Sequence, residues 1–239
     1  IENIGSVEVK VYRTEEQLLR SFISIWYAIE PTIVSAYNGD YFDVPYLVNR
    51  ITNVLGQNAA KKISPIGIIE TREVGKDTFI KIAGVAQMDY LQLYKKFTYN
   101  QESSYTLDAI ATKELQRGKI QYEGSLDNLF HTDIDKFIAC NITDVELMVA
   151  LDKKMDLIEI ARGICHKGHV PYEDFEFSSR YLDGAIATRC KRQGIVTISN
   201  LSKTTEYEMD ISELFVKKKK VYFPLDIATI KDKTVVYIL

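Results

Sequence analysis

Residues 37–50 read Y-N-G-D-Y-F-D-V-P-Y-L-V-N-R, and this segment gives the clearest indication of the architecture. The apolar run at residues 32–37 that leads into it predicts a short strand. Asn38, Gly39 and Asp40 predict a turn, and residues 44–55 predict a helix that stops near Gly56. A strand, a turn and a helix in this order predict an α/β fold.

Periodic patterns on both sides of this segment predict further strands and helices. Val7, Val9 and Val11 alternate with other residues as in a half-buried strand. Thr14 and Gln17 form a capping box for a helix that ends before Pro31. The other predicted elements are a hairpin at 66–74 and 78–82, a strand at 85–88, helices at 89–97, 105–116, 134–161 and 178–193, and a C-terminal hairpin at 221–225 and 235–239.

Composition predicts a soluble globular protein. Of 239 residues, 46% are hydrophobic and 26% are charged, and no apolar run has the length of a membrane span. The three cysteines form no C-x-x-C pair, which favours a reducing compartment such as the cytoplasm. A net charge of -3 argues against a broad basic surface for duplex DNA but is compatible with a local nucleic-acid site. Short basic groups, such as that at residues 113–119, are interpreted as solvated surface.

Asp43 has two interpretations that are compatible with each other. It follows the predicted strand and turn, where open α/β sheets usually place ligands, and a carboxylate suits Mg²⁺. It also precedes Val44 and Pro45, so it can cap the helix with proline in the first turn.

Asp144 lies in the middle of the helix predicted at residues 134–161, where Asp is a poor helix former. Cys140 and Met148, one turn before and after it, are apolar, so this spacing turns Asp144 toward the core or a cleft. A buried carboxylate needs a metal or a partner, and the alternative is a Lys or Arg on an adjacent element.

Five segments together resemble family B DNA polymerases, most closely the T-even-phage branch. Residues 37–50 resemble the second exonuclease motif of that family. The other four follow in family order: K-K-I-S-P-I-G at 61–67, M-D-Y-L-Q-L-Y-K-K-F at 88–97, S-Y-T-L-D-A-I-A at 104–111 and N-I-T-D-V-E at 141–146. The resemblance extends over residues 7–198 and implies a ribonuclease-H-like 3'-5' proofreading exonuclease domain, a mixed sheet flanked by helices.

The resemblance also implies roles for individual residues. Asp43 and Asp144 match catalytic carboxylates that hold two divalent cations, Mg²⁺ or Mn²⁺. Asn38 and Phe42 match residues that shape the pocket for the 3'-terminal nucleotide. Tyr37 and Tyr105 are aromatic residues near the inferred cleft that could stack on unpaired bases. The hairpin at 66–82 resembles the element that partitions a primer end between the polymerising and editing sites.

Two departures from the family pattern leave it open whether this chain is an enzyme. The first D-x-E motif is missing ahead of residue 37, and the D-x-E at Asp174-Phe175-Glu176 comes after Asp144 and is interpreted as chance. Cys140 also stands where the family carries a Tyr that helps to place the attacking water. A thiol is a weak donor and a poor substitute. The polymerase-site motifs are absent from the sequence, so nucleotide addition is not expected.

We therefore expect a fragment of a phage-type DNA polymerase, located in the cytoplasm of an infected cell. The predicted domains are an exonuclease-like domain at 1–163, a helical connector at 164–200 and a tail with a C-terminal hairpin at 201–239. The expected partners are single-stranded DNA or a primer 3' end and the remaining polymerase chain, with no membrane. The alternative function is a non-catalytic module that binds single-stranded DNA or a polymerase subunit.

Overall fold

The computed structural model describes residues 7–74, 77–99, 101–194, 228–231 and 233–236. The fold is mixed α/β, mostly helical with small sheets. In chain order the strands are β1 (Val7–Val9), β2 (Ile33–Val34), β3 (Ile69–Val74), β4 (Asp77–Ile82), β5 (Ala86–Gln87), β6 (Ala228–Lys231) and β7 (Lys233–Val236). The α-helices are α1 (Glu15–Ile29), α2 (Asp43–Leu55), α3 (Gln57–Ala60), α4 (Tyr90–Phe97), α5 (Leu107–Leu115), α6 (Leu126–Thr132), α7 (Ile134–Met155), α8 (Leu157–Gly168) and α9 (Ser178–Arg192). Short 3-10 helices lie at Lys61–Ile63 and Tyr172–Glu176.

Local signals in the first half of the chain predict the observed elements well. The Thr14 hydroxyl accepts a hydrogen bond from the backbone N–H of Gln17 at 3.3 Å, which confirms the predicted start of α1. Helix α2 ends at Leu55 with Gly56 as its C-terminal cap, as expected. The predicted hairpin is also confirmed, since β3 pairs antiparallel with β4 and Val74 stands opposite Asp77.

The described strands form three small sheets, which differs from the single mixed sheet that was expected. One sheet pairs β2 parallel with β5, one pairs β3 with β4, and the third has the order β1-β7-β6. The β2–β5 ladder is short because the chain turns on both strands soon after it. Asn38 adopts a left-handed conformation with φ 68°, and α4 begins at Tyr90.

The prediction of one continuous helix at residues 134–161 is wrong, because α7 ends at Met155 and α8 begins at Leu157. Asp156 between them has φ 55°, and the carboxylate of buried Asp152 accepts the backbone N–H of Ile158 at 3.2 Å. This carboxylate satisfies an amide at the start of α8 that has no partner within the helix. The predicted domain boundary between residues 163 and 164 falls inside α8, and the division into three domains remains a prediction.

A C-terminal hairpin is present, shifted from the expected one. Strands β6 and β7 pair antiparallel, and β7 pairs parallel with β1. The first strand predicted for this hairpin, at residues 221–225, lies outside the described residues.

Two buried clusters support the fold on either side of the β2–β5 ladder. The first packs α1 and α2 against β4, where Trp26 donates its indole N–H to the carbonyl of Ile63 at 2.7 Å. The second packs α4, α5, α7 and α8 around Tyr90, Leu147 and Phe175. None of the helices in the described ranges is long and apolar enough to cross a membrane.

Candidate active site

A cleft of about 480 Å³ lies where the turn after β2 faces α5 and α7. Asp43 lines it from the start of α2, and Asp144 lines it from the middle of α7. The structure therefore brings the two predicted metal-site carboxylates into one cavity. The other residues that line it are Ala36, Tyr37, Asn38, Leu91, Tyr105, Thr106, Leu107, Lys119 and Met148.

Asp43 is the first residue of α2 and is half-buried. The helix cap is Phe42, whose side chain makes no capping hydrogen bond, so the interpretation of Asp43 itself as the cap is wrong. The turn closes tightly because the backbone N–H of Val44 reaches the carbonyl of Gly39 at 2.9 Å. The carboxylate thus lies at the helix N-terminus, where the helix dipole favours negative charge.

Asp144 faces the cleft as its spacing predicted, with Cys140 and Met148 buried on the same helix face. Lys119 Nζ lies 2.6 Å from Asp144 Oδ2, so the alternative of a basic partner on an adjacent element is also present. Burial raises the pKa of Asp144, the Lys119 ammonium lowers it, and the charge of Asp108 raises it further. The net direction is upward.

Lys119 is the residue of the cleft that sequence reasoning missed. Its basic neighbourhood at residues 113–119 was interpreted as solvated surface, and for Lys119 this is wrong. Its backbone N–H donates to Asp108 Oδ1 at 2.6 Å, which fixes the segment after α5 against that helix. The signal in the sequence was weak, because a lysine after a helix ordinarily extends into solvent.

The aromatic residues predicted to bind nucleic acid divide into two groups. Tyr37 and Tyr105 line the cleft together with Asn38, and the Tyr37 hydroxyl donates to the carbonyl of Tyr105 at 2.8 Å. Burial raises the pKa of Tyr37, with smaller contributions from Tyr94 and Asp89, so its hydroxyl stays protonated.

Phe42 belongs to the second group, because it is not among the residues that line the cavity. It is 63% exposed and lies nearly parallel to the ring of Tyr46, with centroids 6.2 Å apart and planes at 8°. The pair forms an exposed aromatic surface on the first turn of α2, beside the cleft.

Comparison with known proteins identifies this region. Residues 2–110 match the DNA polymerase family B exonuclease domain. The DNA-directed DNA polymerase of Enterobacteria phage T4 is 33% identical over 165 residues, which are 67% of this chain and 18% of that protein. The corresponding polymerase of Escherichia phage RB69 is 30% identical over 200 residues, 82% of this chain and 22% of that protein. The chain belongs to the family B DNA polymerases, and its match to their exonuclease domain covers residues 2–110.

The similarity extends beyond phage proteins, and it covers a limited part of each relative. DNA polymerase 1 of Sulfurisphaera ohwakuensis is 30% identical over 155 residues, 61% of this chain and 16% of that protein. The chain spans about a fifth of the length of the phage relatives.

Cys140, one turn before Asp144 on α7, is packed as a small apolar residue. Its side chain is buried, and burial together with the negative charge of Asp144 raises the pKa of the thiol. The thiol is therefore neutral at physiological pH.

The acidic side chains near the cleft do not form a larger cluster among the described residues. Within residues 7–74, 77–99 and 101–194, no group of three His, Cys, Asp or Glu side chains could hold a metal ion. Asp43 and Asp144 supply carboxylates, but Asp144 is paired with Lys119. The D-x-E at 174–176 lies in a 3-10 helix, and Arg180 on α9 pairs with Asp174.

Proposed function

We propose that the cleft binds the 3'-terminal nucleotides of a single DNA strand, as the substrate-binding part of a ribonuclease-H-like proofreading exonuclease domain. The observation that carries this proposal is the convergence of Asp43 and Asp144 on one cavity, from positions far apart in the sequence. A capping residue and a surface carboxylate have no reason to meet, whereas a phosphodiester-cleaving site requires its carboxylates to lie around a common point.

The walls of the cleft suit a nucleotide. Tyr37 and Tyr105 offer aromatic surface to a base, and Lys119 offers a positive charge to a phosphate. A strand that enters the cleft competes with Asp144 for the Lys119 ammonium, since the two are ion-paired. Binding is therefore expected to be weak and sensitive to salt.

Hydrolysis requires more than the described residues provide. Mg²⁺ or Mn²⁺ would activate water and neutralise charge on the phosphate, with Asp43 and Asp144 as two of the ligands. Further carboxylates would have to come from outside the described residues, either from this protein or from another chain. We therefore propose that this chain binds DNA but cleaves it slowly or not at all by itself.

A second candidate function is a non-catalytic module that binds single-stranded DNA or the remaining polymerase chain. The Lys119–Asp144 ion pair favours it, because a lysine ammonium neutralises one of the two carboxylates that a metal would need.

Fluorescence anisotropy and a nuclease assay test both candidates. A 5'-labelled oligothymidylate is titrated with the chain at low salt, and then incubated with it in Mg²⁺ or Mn²⁺. Asp43→Asn and Asp144→Asn are compared with Asp127→Asn, whose carboxylate is 90% exposed on α6. Binding without 3'-end shortening supports our proposal. Robust shortening that both cleft substitutions abolish would show a complete nuclease, and failure to bind DNA would contradict the proposed cleft function.

A further inference from the structure

The carboxylate of Asp89 accepts two backbone hydrogen bonds from the turn that carries Asp43. The backbone N–H of Asn38 donates to Asp89 Oδ1 at 3.1 Å, and that of Asp40 donates to Asp89 Oδ2 at 3.3 Å. Asn38 has a left-handed conformation with φ 68°. Such a local conformation turns nearby amides toward one side and makes a concave site for an anion. Here the side chain of Asp89 fills that site.

Asp89 is fixed in this place by the sheet and by α4. Asp89 lies just after β5. The backbone N–H groups on either side of it, those of Met88 and Tyr90, donate to the carbonyls of Val34 and Ala36, both at 2.9 Å, and so extend the β2–β5 pairing. Asp89 is 2% exposed and also accepts the backbone N–H of Leu91 at 2.9 Å as the cap of α4. One buried carboxylate therefore joins the start of α4 to the turn above it.

The contact reaches Asp43 through a short, closed piece of backbone. The N–H of Phe42 bonds to the carbonyl of Asn38 at 3.2 Å, and that of Val44 bonds to the carbonyl of Gly39 at 2.9 Å. These bonds enclose Asp43, so a shift of Asn38 and Asp40 moves Asp43 with them.

We propose that Asp89 is a positioning residue, which sets where the Asp43 carboxylate lies in the cleft. The geometric part of this inference is independent of the proposed DNA binding, and only its functional consequence rests on that proposal. The competing explanation is that Asp89 serves α4 alone, as an ordinary helix cap.

Two substitutions separate these roles. Asp89→Ser retains a good helix cap, because Ser caps a helix about as well as Asp does. Its single hydroxyl, on a shorter side chain, cannot also bridge the two amides of the turn. Asp89→Asn retains one acceptor oxygen but presents an amide NH₂ in place of the second. Ser125→Ala is the matched control, since it removes the cap of α6, where Ser125 accepts the N–H of Asn128 at 3.2 Å, far from the turn in sequence.

Nuclear magnetic resonance of the full chain gives the direct readout. In Asp89→Ser we expect the amide protons of Asn38 and Asp40 to exchange about tenfold faster or more, while Leu91 retains its protection. We also expect the ¹³Cγ resonance of Asp43 to shift. Ser125→Ala leaves all of these signals unchanged. If Asp89→Ser does not fold, Asp89→Asn is read in the same way, with the Asn38 or the Asp40 amide alone losing protection. Unchanged amide exchange and an unchanged Asp43 resonance in the folded variant would overturn the proposal.

A double-mutant cycle tests the functional consequence with the labelled oligothymidylate. Asp89→Ser and Asp43→Ala are each expected to change the affinity, and the double variant to change it by no more than Asp43→Ala alone. Additive changes in the free energy of binding, of either sign, would show that Asp89 acts independently of Asp43 and would contradict the positioning role. If the wild-type chain binds no DNA, the proposed function fails, whereas the resonance measurements still decide the role of Asp89.

Discussion

Lys119 Nζ and Asp144 Oδ2 lie 2.6 Å apart inside the cleft that Asp43 also lines. The pair is only partly shielded, because the Lys119 side chain is 37% and the Asp144 side chain 22% exposed. Its contribution to stability is therefore modest, but it sets the charge of the candidate active site. Without the ammonium, the carboxylate of Asp144 would remain half-buried beside the charge of Asp108.

Lys119→Met is expected to destabilise the chain by about 1 kcal/mol at pH 7, because it leaves the Asp144 carboxylate without this partner. The pKa of Asp144 should rise further in the variant, since the Lys119 ammonium lowers this pKa in the wild type. When the pH falls below that pKa, Asp144 is protonated and the difference between wild type and variant should diminish. Urea unfolding at pH 7 and pH 4 measures this.

Lys113→Met is the matched control for this experiment. Lys113 pairs with Glu102 and is 43% exposed, outside the cleft lining. If both substitutions had the same effect at both pH values, the cleft ion pair would have no special role.

The elements that were predicted correctly depend on neighbours in the sequence. The Thr14 cap and the stop at Gly56 are each determined within one helical turn, and the β3–β4 hairpin by its short connection. The α7–α8 break was missed because Asp156 adopts a left-handed conformation, which is uncommon for residues other than glycine.

The candidate site was predictable only in part, because only some of its residues lie in elements that a local sequence pattern predicts. Helical spacing placed Asp144 on the face shared with Cys140 and Met148, and this is what the structure has. The partner Lys119 comes from a segment without regular structure, so no periodicity indicates its direction. The sequence shows that Phe42 is next to Asp43, but it did not predict that Phe42 lies on the outer surface. Neighbouring residues at a helix start point in different directions.

Phe42→Ala is expected to weaken binding of single-stranded DNA by about 1 to 3 kcal/mol if a base stacks on this exposed ring. Tyr46→Ala should weaken it as well, because Tyr46 lies parallel to Phe42 and extends the same surface. Folding stability should change little in either variant, since Phe42 is 63% and Tyr46 46% exposed. Anisotropy with a labelled oligonucleotide gives the affinities.

Tyr27→Ala serves as the control for these two variants, since Tyr27 is 71% exposed on α1. Equal affinities for all three variants and the wild type would exclude a stacking role for the Phe42–Tyr46 surface.

Gly39→Ala is expected to destabilise the chain by about 1 to 3 kcal/mol, as overpacking does in a well-packed region. A Cβ at this position would lie 2.6 Å from the Cβ of Ala36, which is buried beneath the turn. The double variant Ala36→Gly with Gly39→Ala removes this clash. Thermal unfolding should show the double variant to be more stable than the sum of the single effects predicts, and strict additivity would argue against the contact.

Asp40→Asn is expected to stabilise the chain by more at pH 8 than at pH 5. Burial, followed by the charges of Asp89, Glu176 and Glu173, raises the pKa of Asp40 to about 7. Between the ordinary value of 3.8 and about 7, the folded chain therefore binds more protons at Asp40 than the unfolded chain does. Its contribution to stability must fall as the pH rises through this window, by at most about 1.4 kcal/mol per pH unit.

Asparagine is neutral at every pH and has a similar shape, so it removes the fall in stability that the titration of Asp40 causes. The free energy of unfolding, measured in urea at pH 5 and pH 8, should differ between wild type and Asp40→Asn by more at the higher pH. Asp127→Asn changes an acid that is 90% exposed and should leave the pH dependence unaltered. If Asp40→Asn instead shifted stability equally at both pH values, Asp40 would already be ionised at pH 5. Burial and the charge of Asp89 would then not raise its pKa.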